Sequence, residues 1–521
     1  MKHSVFSIFH IQTVHMQIYH FVRRGMRFLP PLLLVGLVSV VETSSQPTTI
    51  TFLHTNDMHA SFVPHEAIWV RSTPKPLVGG FKELAFRIDS VRAIKPLTIL
   101  VDAGDVMTGN PISEIDYRGA TGGALYEMMD QMGYDVSCPG NHDLDISQDN
   151  LRRLTKIATF PSLAANIVND RGAFPVNNKP YAIIERGGVK ICFIGLMSQE
   201  LYGLVNQNNL VGIKVLSPVE TAKKYIAELR PKVDLLVAIT HEGVDDDSVL
   251  AQEAPGLDVI IGGHSHTRLR SPKMVNNVPI VQAGSNCENL GELDVTLDNG
   301  KVVSVDGSLI QLWPGKNRPV SKVSSLVDSM QAVIDREYSE VIGTLTADWV
   351  RKPGGSAMGS FITEAQREAA HADIAFMNDH GIRKDVPAGA ITKRDLFEVL
   401  PFRNVLMTFQ LSADDLEKVA AFYLEKNPAI QMMGMTIRWK PNAGGTKQLV
   451  GVTVQGKPLD PKRMYSCAAS DFLVSEADRY LGIEIQKPIS LQQTVFSAVE
   501  NAVRKEKRIT PKQSLFLEKV Q

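Results

Sequence analysis

Residues 97–105 read Leu97-Thr98-Ile99-Leu100-Val101-Asp102-Ala103-Gly104-Asp105, an apolar run that ends in two carboxylates around a small-residue turn. A short aliphatic and β-branched run of this kind predicts a buried strand. Three other apolar runs also lead into polar residues: Ile50–His54, Val233–Ile239 and Leu257–Ile261. In α/β proteins, sites form along the sheet edge where the strands end. The pattern therefore predicts an α/β fold with a polar site at shared strand ends.

The polar residues near these strand ends are of the kinds that bind divalent metal ions. They fall into seven short clusters: Asp57-Met58-His59, Gly104-Asp105, Gly140-Asn141-His142-Asp143, Asp145, Thr240-His241, Gly263-His264 and Ser265-His266. Carboxylate, amide and imidazole ligands together suit a hard or borderline divalent cation. A lone Asp or His is more often a helix cap or a satisfied core residue. Their recurrence in strand-end turns favours metal-assisted chemistry on a phosphorylated substrate.

The spacing within the clusters indicates which side chains can share an ion. In extended backbone, residues i and i+2 point to the same side, so Asp57 and His59 can address one ion together. His264 and His266 have the same spacing, but a loop would let them diverge onto two ions. Asp105 lies in a turn where its carboxylate could bridge two cations. Two ions about 3.5–4 Å apart can activate a bridging water and hold a phosphoryl oxygen.

Composition limits the function classes. A chain of 521 residues with 44% hydrophobic content can fill more than one core, so two domains are expected. The 55 basic and 56 acidic residues leave no global positive field, which argues against a nucleic-acid partner. The four cysteines are widely spaced, and buried thiols are favoured over a disulfide framework. The sequence leaves the oligomeric state open.

The N-terminal region has the features of an export signal. Arg23, Arg24 and Arg27 precede an apolar run, Phe28–Val41, that is short for a membrane span of about 20 residues. Small and polar residues follow, and cleavage near Ser45 is expected, with Met26 as an alternative start. A retained signal anchor is the competing interpretation. The sequence thus predicts a periplasmic or secreted protein with no stable membrane insertion after signal removal.

Periodicity predicts alternating strands and helices to about residue 261 and a β-rich stretch after it. Helical patterns cover 79–93, 122–132, 148–157 and 324–338. The predicted organisation has four parts: a signal peptide and extension at 1–47, a first domain at 48–318, a linker helix at 319–341 and a second domain at 342–521.

Five blocks resemble the signature blocks of the bacterial and ecto-5′-nucleotidase family. They are Thr55-Asn56-Asp57-Met58-His59, Asp102-Ala103-Gly104-Asp105, Gly140-Asn141-His142-Asp143, Thr240-His241-Glu242 and Gly262-Gly263-His264-Ser265-His266. The resemblance spans residues 48–485. It implies an α/β fold, in which a calcineurin-like αββα sandwich metallophosphoesterase domain precedes a smaller α/β substrate-binding domain.

The resemblance also implies the metal ligands and the cofactor. One ion would be held by Asp57, His59, Asp105 and His266. Asp105 would bridge to a second ion, and the ligands that complete it would be Asn141, His241 and His264. The cofactor would be two divalent ions, with Zn, Mn or Co as the expected metals.

His142 and Asp145 correspond to the family's catalytic dyad. An imidazolium beside a charged transition state stabilises it electrostatically, and a carboxylate can fix the ring. The alternative is that Asp145 only caps the helix that starts near Ser147. Asp143 is given no chemical role, and His54 and Asp102 are expected in the core or behind the ligands.

The second half contains residues that resemble the family's nucleotide-binding loops. Asn378 and Arg383 correspond to substrate contacts, although Asp379 and His380 replace two of the family's three glycines. Phe402 corresponds to a base-stacking ring, and Tyr480 is predicted to lie opposite it. The alternative is that both rings are ordinary core aromatics. A further departure is at residues 353–360, where the relatives show an Arg shortly before Asn-x-Gly-Asn-like residues. In this chain only Arg351 and Lys352 are nearby, slightly upstream.

The resemblance thus implies a phosphohydrolase that acts on nucleoside 5′-monophosphates, with nucleotide sugars or 2′,3′-cyclic nucleotides as further substrates. One alternative keeps the metals and changes the substrate, as in the related sulfur-oxidation thiosulfohydrolases. Another is a binding protein without activity, for which loss of a ligand or of the dyad would be expected.

Overall fold

The computed structural model describes residues 47–316, 318–352, 354–442 and 445–520. The predicted signal peptide, with the possible start at Met26 and the cleavage near Ser45, lies outside the described residues. Within the described part, no helix combines the length and the apolar character that a membrane crossing requires.

The first half contains two mixed sheets. The strands of the five-stranded sheet are, in spatial order, Lys301–Gln311, Asn289–Asp298, Thr48–Thr55, Thr98–Asp102 and Val136–Ser137. The strands of the six-stranded sheet are Lys273–Val275, Val278–Val281, Val259–Gly262, Leu235–His241, Val189–Met197 and Tyr181–Arg186. The strands predicted from apolar runs are confirmed, with bounds that differ by a few residues.

The two sheets pack face to face with helices outside. One core cluster contains Phe52 and Val101 from the first sheet and Phe193 and Val237 from the second. A second cluster joins the outer face of the first sheet to three helices: Phe81–Ile94, Gly123–Met132 and Lys322–Tyr338. A third cluster joins the second sheet to Pro218–Leu229 and Val244–Glu253. The helix Gln148–Ile157 lies beside Gly123–Met132. The expected αββα sandwich is confirmed.

The helix Lys322–Tyr338, which falls in the predicted linker, buries Val323, Val327 and Ile334 in this first-half core. Side-chain caps mark where several helices begin. Ser321 and Ser324 form a reciprocal capping box at the start of this helix, and Ser147 accepts a bond from the amide of Asn150 at the start of Gln148–Ile157. Such caps satisfy amides that have no partner within the helix.

The second half contains three further sheets. The five-stranded sheet has Ile430–Met433, Ile374–Asn378, Tyr465–Ser470, Val405–Leu411 and Ile489–Thr494. The four-stranded sheet has Lys457–Pro458, Lys447–Val454, Met435–Pro441 and Leu517–Lys519, and the three-stranded sheet has Gly389–Thr392, Val341–Leu345 and Arg508–Ile509. Six helices pack on them: Ala357–Ala369, Lys393–Val399, Ala413–Lys426, Asp471–Ser475, Ala477–Leu481 and Val495–Glu506. An α/β second half is therefore confirmed.

Three short ribbons complete the described strands: His65–Glu66 with Leu77–Val78, Asp116–Tyr117 with Ala120–Thr121, and Ile167–Val168 with Lys214–Val215. All four cysteines are buried free thiols, as the sequence predicted.

Polar contacts join the two halves of the chain. Asn110 donates to Glu398 at 2.9 Å, and the Nε of Arg403 donates to Glu114 at 2.6 Å. Elsewhere, Asn206 donates to Asp471 at 2.9 Å. These contacts connect the second half to short helical turns of the first half, at Pro111–Glu114 and before Gln207–Leu210.

Candidate functional site

Parallel strand pairs place the predicted ligands at one edge of the sandwich. Thr55 pairs with Asp102 in the first sheet, so the loops that carry Asp57 and Asp105 leave it side by side. Thr240 pairs with Gly262 in the second sheet, and His241 and His264 follow in the same way. Because the two sheets pack face to face, both sets of strand ends meet at one place.

Five of the seven predicted metal ligands have a left-handed backbone, with φ of 49° at Asp57, 45° at His59, 56° at Asp105, 78° at His264 and 55° at His266. Such a conformation is unfavourable for a residue with a side chain and persists only where the surrounding structure imposes it. The turns are tight as well: a Cβ atom on Gly140 would lie 2.1 Å from the Asp105 carboxylate. The strain is concentrated where the side chains converge.

Asp57, His59 and His266 form the first group of candidate metal ligands. The Nε2 atoms of the two histidines are 3.0 Å apart, and His266 Nε2 lies 3.4 Å from Asp57 Oδ1. Two ligand atoms that each lie about 2.1 Å from one ion, with a right angle between their bonds to the ion, are about 3.0 Å apart. The Nδ1 of His59 faces the carbonyl of Thr108 at 3.1 Å, which leaves Nε2 free for an ion.

Asp105, His241 and His264 form the second group. The Oδ2 atom of Asp105 lies 3.2 Å from His241 Nε2 and 3.9 Å from His59 Nε2. One carboxylate oxygen of Asp105 therefore faces both groups, as a bridging ligand would.

Two buried polar atoms that lack a hydrogen-bond partner support a metal centre. They are His241 Nε2 and Asn141 Oδ1. The Nδ1 of His241 faces the carbonyl of Ala103 at 2.7 Å, so this ring directs its other nitrogen into the cluster. Burial alone would lower the pKa of His241. The carboxylates of Asp105 and Asp57 outweigh this effect and raise the pKa to about 10. Leaving such atoms without a partner costs free energy that a bound cation would recover. These donors therefore fit divalent ions, which when bound would polarise the phosphoryl group and lower the pKa of a water.

His142 and Asp145 form a hydrogen-bonded pair at the margin of the metal ligands. His142 Nδ1 lies 2.8 Å from Asp145 Oδ2, and the same oxygen accepts from the Thr108 hydroxyl at 2.8 Å. Burial lowers the pKa of His142, but the carboxylates of Asp145 and Asp105 outweigh it and raise the pKa above its usual value. The cap of the following helix is Ser147. The geometry therefore favours an orienting role for Asp145 over the capping alternative.

Asp143 has a structural task that sequence reasoning did not assign. Its buried carboxylate accepts from the amides of Gly140 at 2.7 Å, Asp105 at 3.1 Å and Met107 at 3.1 Å. One side chain thereby connects the loop of Asn141 and His142 to the loop of Asp105. A local sequence pattern holds no signal for these bonds, because they join residues of two separate loops.

Arg383 and Phe402 from the second half reach the metal cluster. Arg383 Nη2 lies 3.5 Å from His59 Nε2. The guanidinium carbon lies 5.8 Å from the ring centroid of Phe402, and that ring lies 5.5 Å from the ring of His142. Asn378 is buried, and its Oδ1 has no hydrogen-bond partner. The structure thus brings a cation and an aromatic plane to the candidate metal centre.

Comparison with known proteins agrees with this architecture. Residues 50–268 match the calcineurin-like phosphoesterase family model, and residues 341–483 match the 5′-nucleotidase C-terminal domain. Protein UshA of Yersinia enterocolitica is 29% identical over 494 residues, which cover 84% of this chain and 87% of that protein. A 5′-nucleotidase precursor from Thermus thermophilus superimposes with a TM-score of 0.77 at 25% identity, over 91% of this chain and all of that one.

The chain belongs to the 5′-nucleotidase family of calcineurin-like metallophosphoesterases. The class of reaction that follows is phosphoric-ester hydrolysis. The Thermus thermophilus sulfate thiohydrolase SoxB, in its complex with glycerol, superimposes with a TM-score of 0.73 at 18% identity, over 90% of this chain and 96% of that one. This likeness shows a shared fold alone.

The predicted partner of Phe402 lies elsewhere in this 5′-nucleotidase family member. Tyr480 is only 8% exposed and belongs to a hydrophobic core cluster. Its ring contacts Phe472 edge-on, with centroids 6.2 Å apart, and no ring contact between Tyr480 and Phe402 occurs among the described residues. The prediction that Tyr480 faces Phe402 across a base is therefore not supported, because the ring of Tyr480 is buried in a hydrophobic core cluster.

Phe472, which packs against the same cluster as Tyr480, is the more exposed of the two rings. It is only partly buried, and the carboxylate of its neighbour Asp471 accepts from the amide of Val405 at 3.1 Å. Val405 is three residues from Phe402, so this bond holds the Phe472 segment next to the turn of Phe402. The signal was present in the sequence, since Phe472 belongs to the same aromatic block as Tyr480.

The two departures from the family pattern are connected to each other. Asp379, which replaces a glycine of the family's loop, accepts from the amide of Gly354 at 2.8 Å and from the side chain of Gln431. Gln431 also accepts from the amide of Ser356 at 3.2 Å. The altered loop beside Asn378 and the altered segment near Gly354 thus support each other.

Proposed function

We propose that this chain is a two-metal 5′-nucleotidase that releases phosphate from nucleoside 5′-monophosphates. The observation that carries the proposal is the position of Arg383, 3.5 Å from His59, with Phe402 beside His142. A substrate with a phosphate at the metals and a base on Phe402 would contact both halves of the chain. A small phosphate ester without a base would have no use for the contact with Phe402.

The roles we propose follow from this geometry. Asp57, His59 and His266 would hold one ion, Asn141, His241 and His264 the other, and Asp105 both. His142, held by Asp145, would stabilise charge that develops on the phosphoryl oxygens. Arg383 would pair with the phosphate, Asn378 would accept a hydrogen bond from the substrate through Oδ1, and Phe402 would stack on the base. We propose Zn, Mn or Co as the metal, because the ligands mix nitrogen and oxygen.

The remaining parts of the proposal concern the whole chain. We propose that a first domain at 48–318 supplies the chemistry and that a second domain at 342–521 supplies substrate recognition, with 319–341 between them. We also propose export to the periplasm or outside the cell, because basic and apolar residues precede residue 47.

A substrate panel with added divalent ions tests the function. Purified protein with Zn, Mn or Co should release phosphate from AMP and UMP faster than from p-nitrophenyl phosphate. UDP-glucose and 2′,3′-cyclic AMP extend the panel. Thiosulfonate bound to a carrier peptide serves as the probe of the sulfur-oxidation alternative. Turnover of that peptide with no release of phosphate from AMP would contradict a nucleotidase.

A further inference from the structure

One buried side chain fastens the loop that carries two of the candidate metal ligands. Gln282 directly follows the strand Val278–Val281 and is fully buried. Its Nε2 donates to the carbonyl of Gly263 at 2.9 Å. Its Oε1 accepts from the amide of Thr267 at 2.7 Å and from the hydroxyl of Ser265 at 3.0 Å. The side-chain amide of Gln282 thus binds three residues of one short loop.

The three loop residues that bind this glutamine alternate with two ligands. Gly263, Ser265 and Thr267 make the hydrogen bonds to the glutamine. His264 and His266 lie between them in the chain, and they belong to different groups of candidate ligands. One side chain therefore holds, through the backbone, one ligand from each group.

The two histidines have a backbone that requires such support. The φ angle is 78° at His264 and 55° at His266, in the left-handed region. A residue with a side chain stays there only where the surrounding structure imposes it. The loop also has little room, because a Cβ atom on Gly263 would lie 2.6 Å from the carbonyl oxygen of Ala103 and 2.9 Å from Nδ1 of His241. A shift of this loop would therefore disturb neighbouring ligands as well.

The backbone that follows this glutamine extends the support to a third ligand. The amide of Ala283 donates to Oδ1 of Asn56 at 2.7 Å. The Nδ2 of Asn56 donates to the carbonyl of Gly284 at 2.7 Å and to Oδ2 of Asp57 at 2.6 Å. The segment 282–284 contains no candidate ligand, yet its hydrogen bonds support ligands that follow strands of both sheets.

Ser265 connects this network to the loop of His241. Its hydroxyl donates to Oε1 of Gln282 and accepts from the amide of Val244 at 3.1 Å. Val244 is three residues after His241 and begins a helix. Since Ser265 is exposed, its hydroxyl can be removed without leaving a cavity in the core.

We propose that Gln282 is a positioning residue that sets the distance between the two ions and couples their binding. It acts through His264 and His266, because it holds one ligand of each ion. This inference rests on the proposed two-metal function. In two-metal sites the ions lie about 3.5–4 Å apart, so the placement of these two ligands relative to each other decides whether both ions can bind together. Residues that orient metal ligands from behind typically contribute about 10- to 100-fold in metal affinity.

The test is binding of Mn²⁺ to the full chain, measured by calorimetric titration and by electron paramagnetic resonance. Two neighbouring Mn²⁺ ions give an exchange-coupled signal, which the wild type should show. Gln282→Met keeps a similar volume but removes the hydrogen bonds. It should weaken the binding of at least one ion by about 10- to 100-fold and alter the coupled signal even at saturating Mn²⁺. Ser265→Ala should weaken binding by about 2- to 12-fold, equivalent to one net hydrogen bond.

Gln366→Met is the matched control, because Gln366 is equally buried but lies in the helix Ala357–Ala369 of the second half. It should leave Mn²⁺ binding and the coupled signal unchanged, which separates positioning from a general loss of stability. Wild-type affinities together with an unchanged coupled signal in Gln282→Met would overturn the proposal. If Gln282→Met does not fold, the same result in Ser265→Ala would overturn it. A wild type that binds only one ion per chain would instead contradict the two-metal function, so the two failures are distinguishable.

Discussion

The guanidinium of Arg383 lies 3.5 Å from the imidazole of His59, although 324 residues separate them in the chain. The backbone of Arg383 is held by a hydrogen bond, in which its amide donates to the carbonyl of Val399 at 2.9 Å. Burial lowers the pKa of Arg383, so its charge is costly unless an anion is near. A substrate phosphate that binds next to this guanidinium would offset that cost.

Asp105→Ala should remove the carboxylate that faces both groups of candidate ligands. We expect loss of metal and a fall in phosphate release by more than about 10³-fold, since metal-assisted activation contributes several kcal/mol. Metal content by mass spectrometry and phosphate release from AMP measure the two effects. Asp328→Ala, at an exposed carboxylate, is the control. Two ions per chain and normal turnover in Asp105→Ala would refute the bridging role.

His142→Ala should lower kcat by about 10²–10³-fold and leave metal content near normal, because its proposed task is stabilisation of transition-state charge. Asp145→Asn should have a smaller effect of the same kind, since the ring remains but loses its carboxylate partner. Steady-state kinetics and metal analysis on the same preparations check this. Loss of metal in His142→Ala would show that His142 is a ligand instead.

Phe402→Ala should affect nucleotides and spare small esters. Removal of one stacking plane costs about 1–3 kcal/mol, so kcat/KM for AMP should fall by about 5- to 150-fold. The value for p-nitrophenyl phosphate should change little. Phe472→Ala should behave in the same way if Phe472 is the second plane, whereas Tyr480→Phe should leave both substrates unchanged. A Phe402 variant that loses both substrates equally would indicate only a structural role.

Glu83 should make stability depend on pH. This carboxylate is 2% exposed, and burial raises its pKa, but Arg318, the amide of Gly315 and Arg87 together lower it below its usual value. A lowered pKa in the folded state stabilises the protein above the unfolded pKa of about 4.3, and this contribution is lost as the pH falls below that value through the folded pKa.

Glu83→Gln should therefore reduce the free energy of unfolding at pH 7 by about 1.5–3 kcal/mol, the range for hydrogen bonds to a charged group, because Arg318 and Arg87 are themselves partly exposed. The difference from wild type should shrink as the pH is lowered below about 4.3. Urea unfolding at several pH values measures it. Glu66→Gln, at an exposed position, is the control. A difference that is constant across this pH range would argue against the ionised pair.

The strands and the order of the polar clusters could be predicted from the sequence alone, because apolar period and turn residues act over a few neighbours. The αββα class was implied by the resemblance of five sequence blocks to the 5′-nucleotidase family. Strand-end positions also predicted that the polar clusters would meet, since parallel strands such as Thr48–Thr55 and Thr98–Asp102 end at one edge. The choice of seven ligands among these clusters was implied by the same resemblance.

Features that depend on long-range packing could not be predicted from the sequence and came from the folded structure. It placed Asp105 Oδ2 between His241 and His59, used Asp143 to join two loops, and buried Tyr480 in a core cluster while Phe472 stayed partly exposed. It also brought Trp69 next to Arg268, almost 200 residues away. Each of these results depends on which surfaces pack against each other, and local propensity holds no information about that choice.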